Sequence, residues 1–248
     1  MNVFGSFTFG GLIKTFLPGL IWLFGLVMFE IDIAKMHGGE SGALEFMRAF
    51  PQTAIALAIP GSILLGVFSN VIVFMGLNDR LVRNPVKTSP EGKEINELYE
   101  SICRRIREFT WEPFDTSKIP EGCTTNACVD AEILVLNELG VAPLSFVREQ
   151  YWYYVEFLVN LMLATWILAA ALCLRYWLTE DDGAAVADTI LTLVSAWLLS
   201  VFLVRAARKN YQKHLAKMLS LILSVISRQQ RAEIAAARSS GGESPAKQ

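Results

Sequence analysis

The chain has 248 residues, of which 53% are hydrophobic and 19% charged, and its formal net charge is −2. This composition is too apolar for an ordinary soluble domain, and a net charge so near zero gives no electrostatic argument for nucleic-acid binding. The long apolar runs predict an all-α integral membrane protein.

Four apolar runs reach the ~17 to 25 residues that a helix needs to cross the hydrocarbon core of a bilayer. In the first, Pro18 is expected in the first helical turn, where its missing N–H is harmless. Glu30 and Asp32 interrupt the end of this run, which argues against a cleaved signal peptide. In the second, Pro60 predicts a kink. The runs cover residues 16–33, 52–77, about 153–177 and about 184–204.

The basic residues predict the orientation, because loops on the cytoplasmic side carry an excess of lysine and arginine. Of the 22 lysines and arginines, all but Lys35, Arg48 and Arg175 lie before span one, between spans two and three, or after span four. We therefore expect an integral protein of the plasma (inner) membrane, with both termini and the middle segment in the cytoplasm.

The two outer loops are rich in acidic residues. A ring of carboxylates would concentrate cations at the mouth of a pore in an oligomer. Alternatively, acids are simply what remains where bases are excluded. The residues are Glu30, Asp32, Glu40, Glu45, Glu180, Asp181, Asp182 and Asp188.

Between spans two and three, the sequence predicts a small helical cytoplasmic cap. One helix starts near Ser89 and carries an apolar stripe at helical spacing, and a second covers 129–140 and ends at Gly140. We expect these two stripes to pack together, with an irregular loop between the helices. The stripe residues are Ile95, Leu98, Tyr99, Ile102, Ile106 and Phe109, then Ile133, Leu136 and Leu139.

After span four the sequence predicts a C-terminal amphipathic helix. Arg205, Arg208, Lys209 and Lys213 are expected to bind anionic lipid headgroups, at ~1 kcal/mol for each base near the surface. The predicted organisation comprises 1–79 with spans one and two, the cap 80–145, spans three and four within 146–205, the amphipathic helix 206–238 and a disordered tail 239–248.

Polar residues enter span three at its cytoplasmic end, in the stretch REQYWYYVEFLVN, 148–160. Tyr153, Glu156 and Asn160 share one helical face, with Asn160 one turn, ~6 Å, deeper than Glu156. Three interpretations of Glu156 remain open. It pairs with Arg148 or a base of the cap, it is a buried packing group bonded to Asn160 or Tyr153, or it lines a proton or cation route.

Spans two and four also carry directional patterns. Small residues recur every four positions in span two and permit a close approach of helix backbones, and Asn70 lies at a depth similar to that of Asn160. We therefore expect a hydrogen-bonded contact between spans two and three. The small residues are Ala54, Ala58, Ser62 and Gly66, and span four places Asp188, Thr192 and Ser195 on one face.

No pattern indicates an enzyme, a metal site or a cofactor. Cys123 and Cys128 have a spacing that zinc sites tolerate, but a second ligand pair is missing, and two ordinary thiols in a turn are the simpler interpretation. The sequence has no phosphate-binding loop, metalloprotease motif or nucleophile elbow. The role of these two cysteines stays open.

Two functions fit these patterns. The first is an oligomeric membrane channel or pore-forming effector that conducts cations and is gated through its cytoplasmic segments. In it, Glu156, Asn160 and Asn70 form the inner polar path, while Asp188 and Glu30 form an acidic outer mouth. The second is a non-enzymatic membrane anchor or scaffold that recruits a cytoplasmic partner. The expected partners are the lipid bilayer, further copies of the chain and a cytoplasmic protein or ligand.

Overall fold

The structure, a computed structural model, describes residues 9–111, 127–179 and 182–240, and almost all of them are helical. Short π-helical turns cover Val73–Leu77, Asp79–Arg83 and Arg148–Trp152. The α-helices are α1 (Phe9–Met36), α2 (Gly42–Ala49), α3 (Pro51–Ile72), α4 (Asn84–Thr88), α5 (Pro90–Trp111), α6 (Ala127–Leu139), α7 (Val141–Val147), α8 (Tyr153–Thr179) and α9 (Asp182–Ser240).

Four helical stretches are long and apolar enough to cross a membrane, as the sequence predicts. The first and second begin and end close to the predicted runs, whereas the third and fourth continue well beyond them. Four such helices indicate a membrane protein. The stretches are Lys14–Met36, Pro51–Leu77, Val141–Thr179 and Gly183–Ile234.

The chain divides into two compact units, and α9 contributes to both. The first comprises residues 1–86 and 149–211, and the second comprises 87–148 and 212–248. Each limit lies a few residues after the corresponding predicted one. The predicted irregular loop, with Cys123, and all but the start of the predicted tail lie outside the described residues, and the Cys128 side chain is not described.

Helix α1 is longer than its apolar run. Pro18 is fully buried in the helix interior, so its prediction as a first-turn residue is wrong. Its backbone nitrogen carries no hydrogen, so it cannot donate a hydrogen bond to the carbonyl of Lys14, one turn earlier. At the other end α1 continues to Met36, so Glu30 and Asp32 lie within the helix.

Within the first unit, α1 packs against both α3 and α8. A Cβ atom on Gly19 would lie 1.8 Å from the carbonyl oxygen of Ser62, and one on Gly66 would lie 1.9 Å from that of Thr15. The small face of span two therefore packs against α1, a neighbour that the sequence did not identify. Along this face, Ser62 and Gly66 are buried, while Ala54 and Ala58 are half-buried.

Helices α1 and α8 run parallel. Lys14 contacts Glu156, and Gly25 contacts Ile167, whose Cγ2 would lie 3.2 Å from a Cβ on the glycine. Both pairs are separated by 142 residues in the chain. A constant separation is the signature of parallel neighbours in register, because the separation would change from pair to pair between antiparallel helices.

In the second unit, α5 and α6 pack against each other, as their apolar stripes predict. Tyr99 and Cys103 of α5 and Val135 of α6 are buried. However, the predicted face of α6 is wrong, since Ile133 and Leu136 are 48% and 37% exposed. The residues that α6 buries are the smaller Ala131 and Val135.

Candidate functional site

A buried ion pair joins α1 to the first turn of α8. Glu156 is only 2% exposed, and its Oε2 accepts a hydrogen bond from Nζ of Lys14. The same Nζ lies 4.1 Å from the ring centroid of Tyr153, an arrangement worth ~0.5 to 2 kcal/mol. Tyr153 and Glu156 are three residues apart on one helical face, so both contact the same ammonium group.

This base is not the one that the sequence suggests. Arg148, one of the partners considered for Glu156, forms an ion pair with Glu132 instead. Lys14 contributed only to the prediction of orientation, although it is an isolated base at the start of an apolar run. Its position on the face that contains Pro18 and Gly25 is the signal that could have identified it.

One turn further along α8, Asn160 is fully buried and bonded to α3 on both sides of its amide. Its Nδ2 donates to Oδ1 of Asn70, and its Oδ1 accepts a hydrogen bond of 2.7 Å from the hydroxyl of Ser69. The predicted hydrogen-bonded contact between spans two and three is confirmed. The sequence interpretation missed Ser69, which is fully buried.

These side chains form one group, which we call the polar cluster. Ionisable and amide groups within a membrane helix are costly, and they mark functional sites more often than other residues do. Chemically, the cluster offers one carboxylate for a cation and amide oxygens that can ligate one. It comprises Lys14, Ser69, Asn70, Tyr153, Glu156 and Asn160.

Near the other end of α1, Glu30 organises the connection to α2. Its carboxylate accepts hydrogen bonds from the hydroxyl of Ser41 and, at 3.4 Å, from the backbone N–H of Ala43. The Ser41 hydroxyl in turn accepts the N–H of Leu44 at 3.0 Å and so caps α2. Glu30 therefore has a local structural partner, whatever else it binds.

A cavity of about 500 Å³ lies between the end of α1 and α2. Its lining includes Lys35 and Arg48 as well as Glu40 and Glu45. The cavity is thus lined by side chains of both positive and negative charge. The acidic outer mouth formed by Glu30 and Asp188 stays a prediction.

The predicted polar face of span four is only partly turned towards the protein. Asp188 and Thr192 are half-buried, whereas Ser195 is exposed. Ala196 and Ser200 are buried instead. The buried face of α9 is therefore rotated by about one residue from the polar stripe.

The basic residues predicted to meet lipid headgroups have different environments. Nε of Arg208 donates a hydrogen bond of 2.8 Å to the carbonyl oxygen of Leu81, so this side chain has a protein partner. Arg205, Lys209 and Lys213 are exposed. The lipid-headgroup prediction therefore depends mainly on these three.

Among the described residues, no group of three or more His, Cys, Asp or Glu side chains is arranged to hold a metal ion. Comparison with protein families, with curated proteins and with solved structures finds no match to this chain. The candidate functional site is therefore the polar cluster, because its side chains are ionisable or amide groups within membrane helices.

Proposed function

We propose that this protein is an oligomeric membrane channel for small cations, gated through segments outside the membrane. The observation that carries the proposal is the polar cluster, in which a nearly inaccessible carboxylate and a fully buried amide lie one turn apart. Apolar residues would hold three helices together without the desolvation penalty of a charge. A carboxylate retained at such a place fits a cation-binding role.

In this proposal the ion pair is the closed gate. The ammonium of Lys14 occupies the position at Glu156 that a permeating cation would take, and a carboxylate so paired attracts a second cation only weakly. Lys14 keeps 18% of its side chain exposed, so it can withdraw towards water along its flexible stem. Withdrawal would free Glu156 for cations.

The conduction path is proposed to lie between copies of the chain and to reach Glu156 from the side where Lys14 is open to water. The backbones of α1 and α3 meet at Gly19 and Gly66, so these two helices leave no room for an ion between them. By contrast, the first part of α9 exposes large apolar side chains such as Ile190, Trp197 and Phe202, which can meet lipid or another copy. Most oligomers of identical chains are closed and symmetric, which provides a central path.

The test is potassium efflux from liposomes that contain the purified full-length protein. We expect Lys14→Gln to increase the efflux, because it leaves the carboxylate of Glu156 unpaired. Glu156→Gln should decrease cation efflux and reduce the preference for potassium over chloride. Lys217→Gln, which removes an exposed base from α9, is the matched control and should leave the efflux unchanged.

The second candidate is the non-enzymatic membrane anchor or scaffold that recruits a cytoplasmic partner. It is favoured by one observation: Glu156 and Asn160 find partners within the same chain. On this account the polar cluster only holds α1, α3 and α8 together. The scaffold predicts no efflux from the wild type or from any variant, including Lys14→Gln, with the fold and oligomeric state intact.

A further inference from the structure

Asp32 is a carboxylate without a hydrogen-bonding partner in the part of the chain that the structure describes. It lies four residues before the end of α1, its side chain is fully buried, and neither of its oxygens has a hydrogen-bond partner among the described residues. A carboxylate can accept about four hydrogen bonds, and an isolated charge in apolar surroundings is strongly disfavoured. Such a group is stable when a positive ion neutralises it.

The helical register places Asp32 at the opposite end of the seam that begins at the polar cluster. Lys14, Gly25 and Asp32 are 11 and 7 residues apart, so all three share one face of α1. The first two contact α8, which puts Asp32 on the side facing α8. Eighteen residues of helix separate it from Lys14 by ~27 Å, close to the ~30 Å of the hydrocarbon core.

None of the helices that pack against α1 offers Asp32 a buried base. Helix α3 carries no ionisable side chain over Pro51–Ile72. On α2 both charged residues, Glu45 and Arg48, are exposed. On α8, the constant separation of 142 residues brings position 174 to the level of Asp32.

The ionisable groups around that level are of little use to a buried carboxylate. Arg175 of α8 is exposed and so is Lys35 of α1, one turn after Asp32. Glu30, an acid, is bonded to Ser41. The thiol of Cys173 and the phenol of Tyr176, both on α8, are half-buried and carry no positive charge in either protonation state.

We propose that Asp32 is a binding site for a small monovalent cation, either a proton or an alkali ion, at the end of the α1–α8 seam remote from the polar cluster. The site goes beyond the proposed function, since binding at Asp32 does not require conduction. The carboxylate supplies the negative charge, and burial excludes large or multiply charged ions.

The probe is dicyclohexylcarbodiimide, an apolar reagent that reacts with protonated carboxyl groups in apolar surroundings. The carboxyl O–H adds across one C=N bond to form an O-acylisourea, which rearranges to a stable N-acylurea. No group leaves, and no oxidant or reductant is needed. A carboxylate bound to an alkali ion lacks the proton and is protected.

The experiment labels the purified full-length protein in liposomes and locates the added mass on its peptides. Parallel samples contain choline chloride, sodium chloride or potassium chloride at equal concentration, over a range of pH. Glu233, which is exposed on α9, is the internal reference for an ordinary carboxyl group. Asp32→Asn checks the assignment, but the labelling of the wild type carries the test even if this variant does not fold.

We expect Asp32 to be labelled in choline chloride, because it is fully buried and the reagent is apolar, whereas the exposed Glu233 is not labelled. Labelling that sodium and potassium leave unchanged identifies the cation as a proton, and labelling that either salt suppresses identifies an alkali ion. Two results overturn the proposal: no labelling of Asp32 under any condition, or labelling that follows that of Glu233. Efflux and labelling are separate readouts, so the channel and this site can fail independently.

Discussion

Removal of the two charges of the Lys14–Glu156 pair should have unequal effects on stability. The side chain of Glu156 is 3% exposed and that of Lys14 is 18% exposed. Lys14→Met therefore leaves an uncompensated carboxylate in a buried position, which costs ~3 to 5 kcal/mol. Glu156→Gln leaves an ammonium that can extend to water, so its cost is nearer the ~1.5 to 3 kcal/mol of one lost charged hydrogen bond.

The double variant tests whether the cost of Lys14→Met comes from the unpaired carboxylate of Glu156. With Glu156 already neutral, loss of Lys14 no longer strands a charge, so Lys14→Met/Glu156→Gln should be more stable than Lys14→Met alone. Since the two residues are in contact, we expect a coupling of ~0.5 to 3 kcal/mol between the two substitutions.

The free energy of unfolding can be measured by denaturation with SDS in mixed micelles, with tryptophan fluorescence as the signal. Lys217→Met is the matched control, because it removes an exposed base and should change stability by less than ~0.5 kcal/mol. If Glu156→Gln is at least as destabilising as Lys14→Met, a stranded carboxylate is not the origin of the cost. Strict additivity of the two substitutions would lead to the same conclusion.

Gly66→Ala should lower the free energy of unfolding by at least ~1 to 3 kcal/mol, because its new methyl group would clash with the backbone of α1. Its control in the same denaturation assay is Gly61→Ala on the same helix, which should be tolerated because its methyl group meets open space. Asn160→Leu loses two hydrogen bonds to α3 and should cost ~0.6 to 2 kcal/mol for each in a membrane setting; an unchanged unfolding midpoint would contradict this. In the second unit, the hydrogen bond of 2.8 Å from Lys87 holds the pKa of Glu100 below its ordinary value of 4.5, against the opposing effect of burial. Because the folded pKa is the lower one, the pair stabilises the fold above about pH 4.5 and this contribution is lost as the pH falls through the folded value. Lys87→Gln should raise the pKa of Glu100 in an NMR titration, with less than ~1 kcal/mol lost because the pair is exposed.

Much of the fold could be predicted from composition and periodicity. The hydropathy of the chain identifies four spans because each apolar run is long. The contact between Asn160 and Asn70 could be predicted because both amides lie near the same end of their spans. The α5–α6 pair follows from two amphipathic stripes that each need a partner. These predictions depend only on properties local to one or two helices.

The arrangement of the spans could not be predicted in this way. A stripe of small residues shows that Gly66 approaches a helix closely, but its spacing is the same whether the neighbour is α1 or α8. The partner of Glu156 could not be identified for the same reason, since Lys14 lies 142 residues earlier in the chain. Asp32 was grouped with the acids near the outer helix ends because it lies next to the end of the apolar run at Ile33, whereas the helix continues to Met36.

The parallel pairing of α1 with α8 has a consequence for biosynthesis. At ~5 to 20 residues per second, the 142 residues between Lys14 and Glu156 take roughly 7 to 28 s to synthesise. During this interval α1 and α3 can already enter the membrane and pack through their glycines, while Lys14 and Asn70 have no α8 to meet. A nascent chain that stops before α8 thus keeps an unsatisfied base and an unsatisfied amide in its apolar part, which distinguishes it chemically from a completed copy.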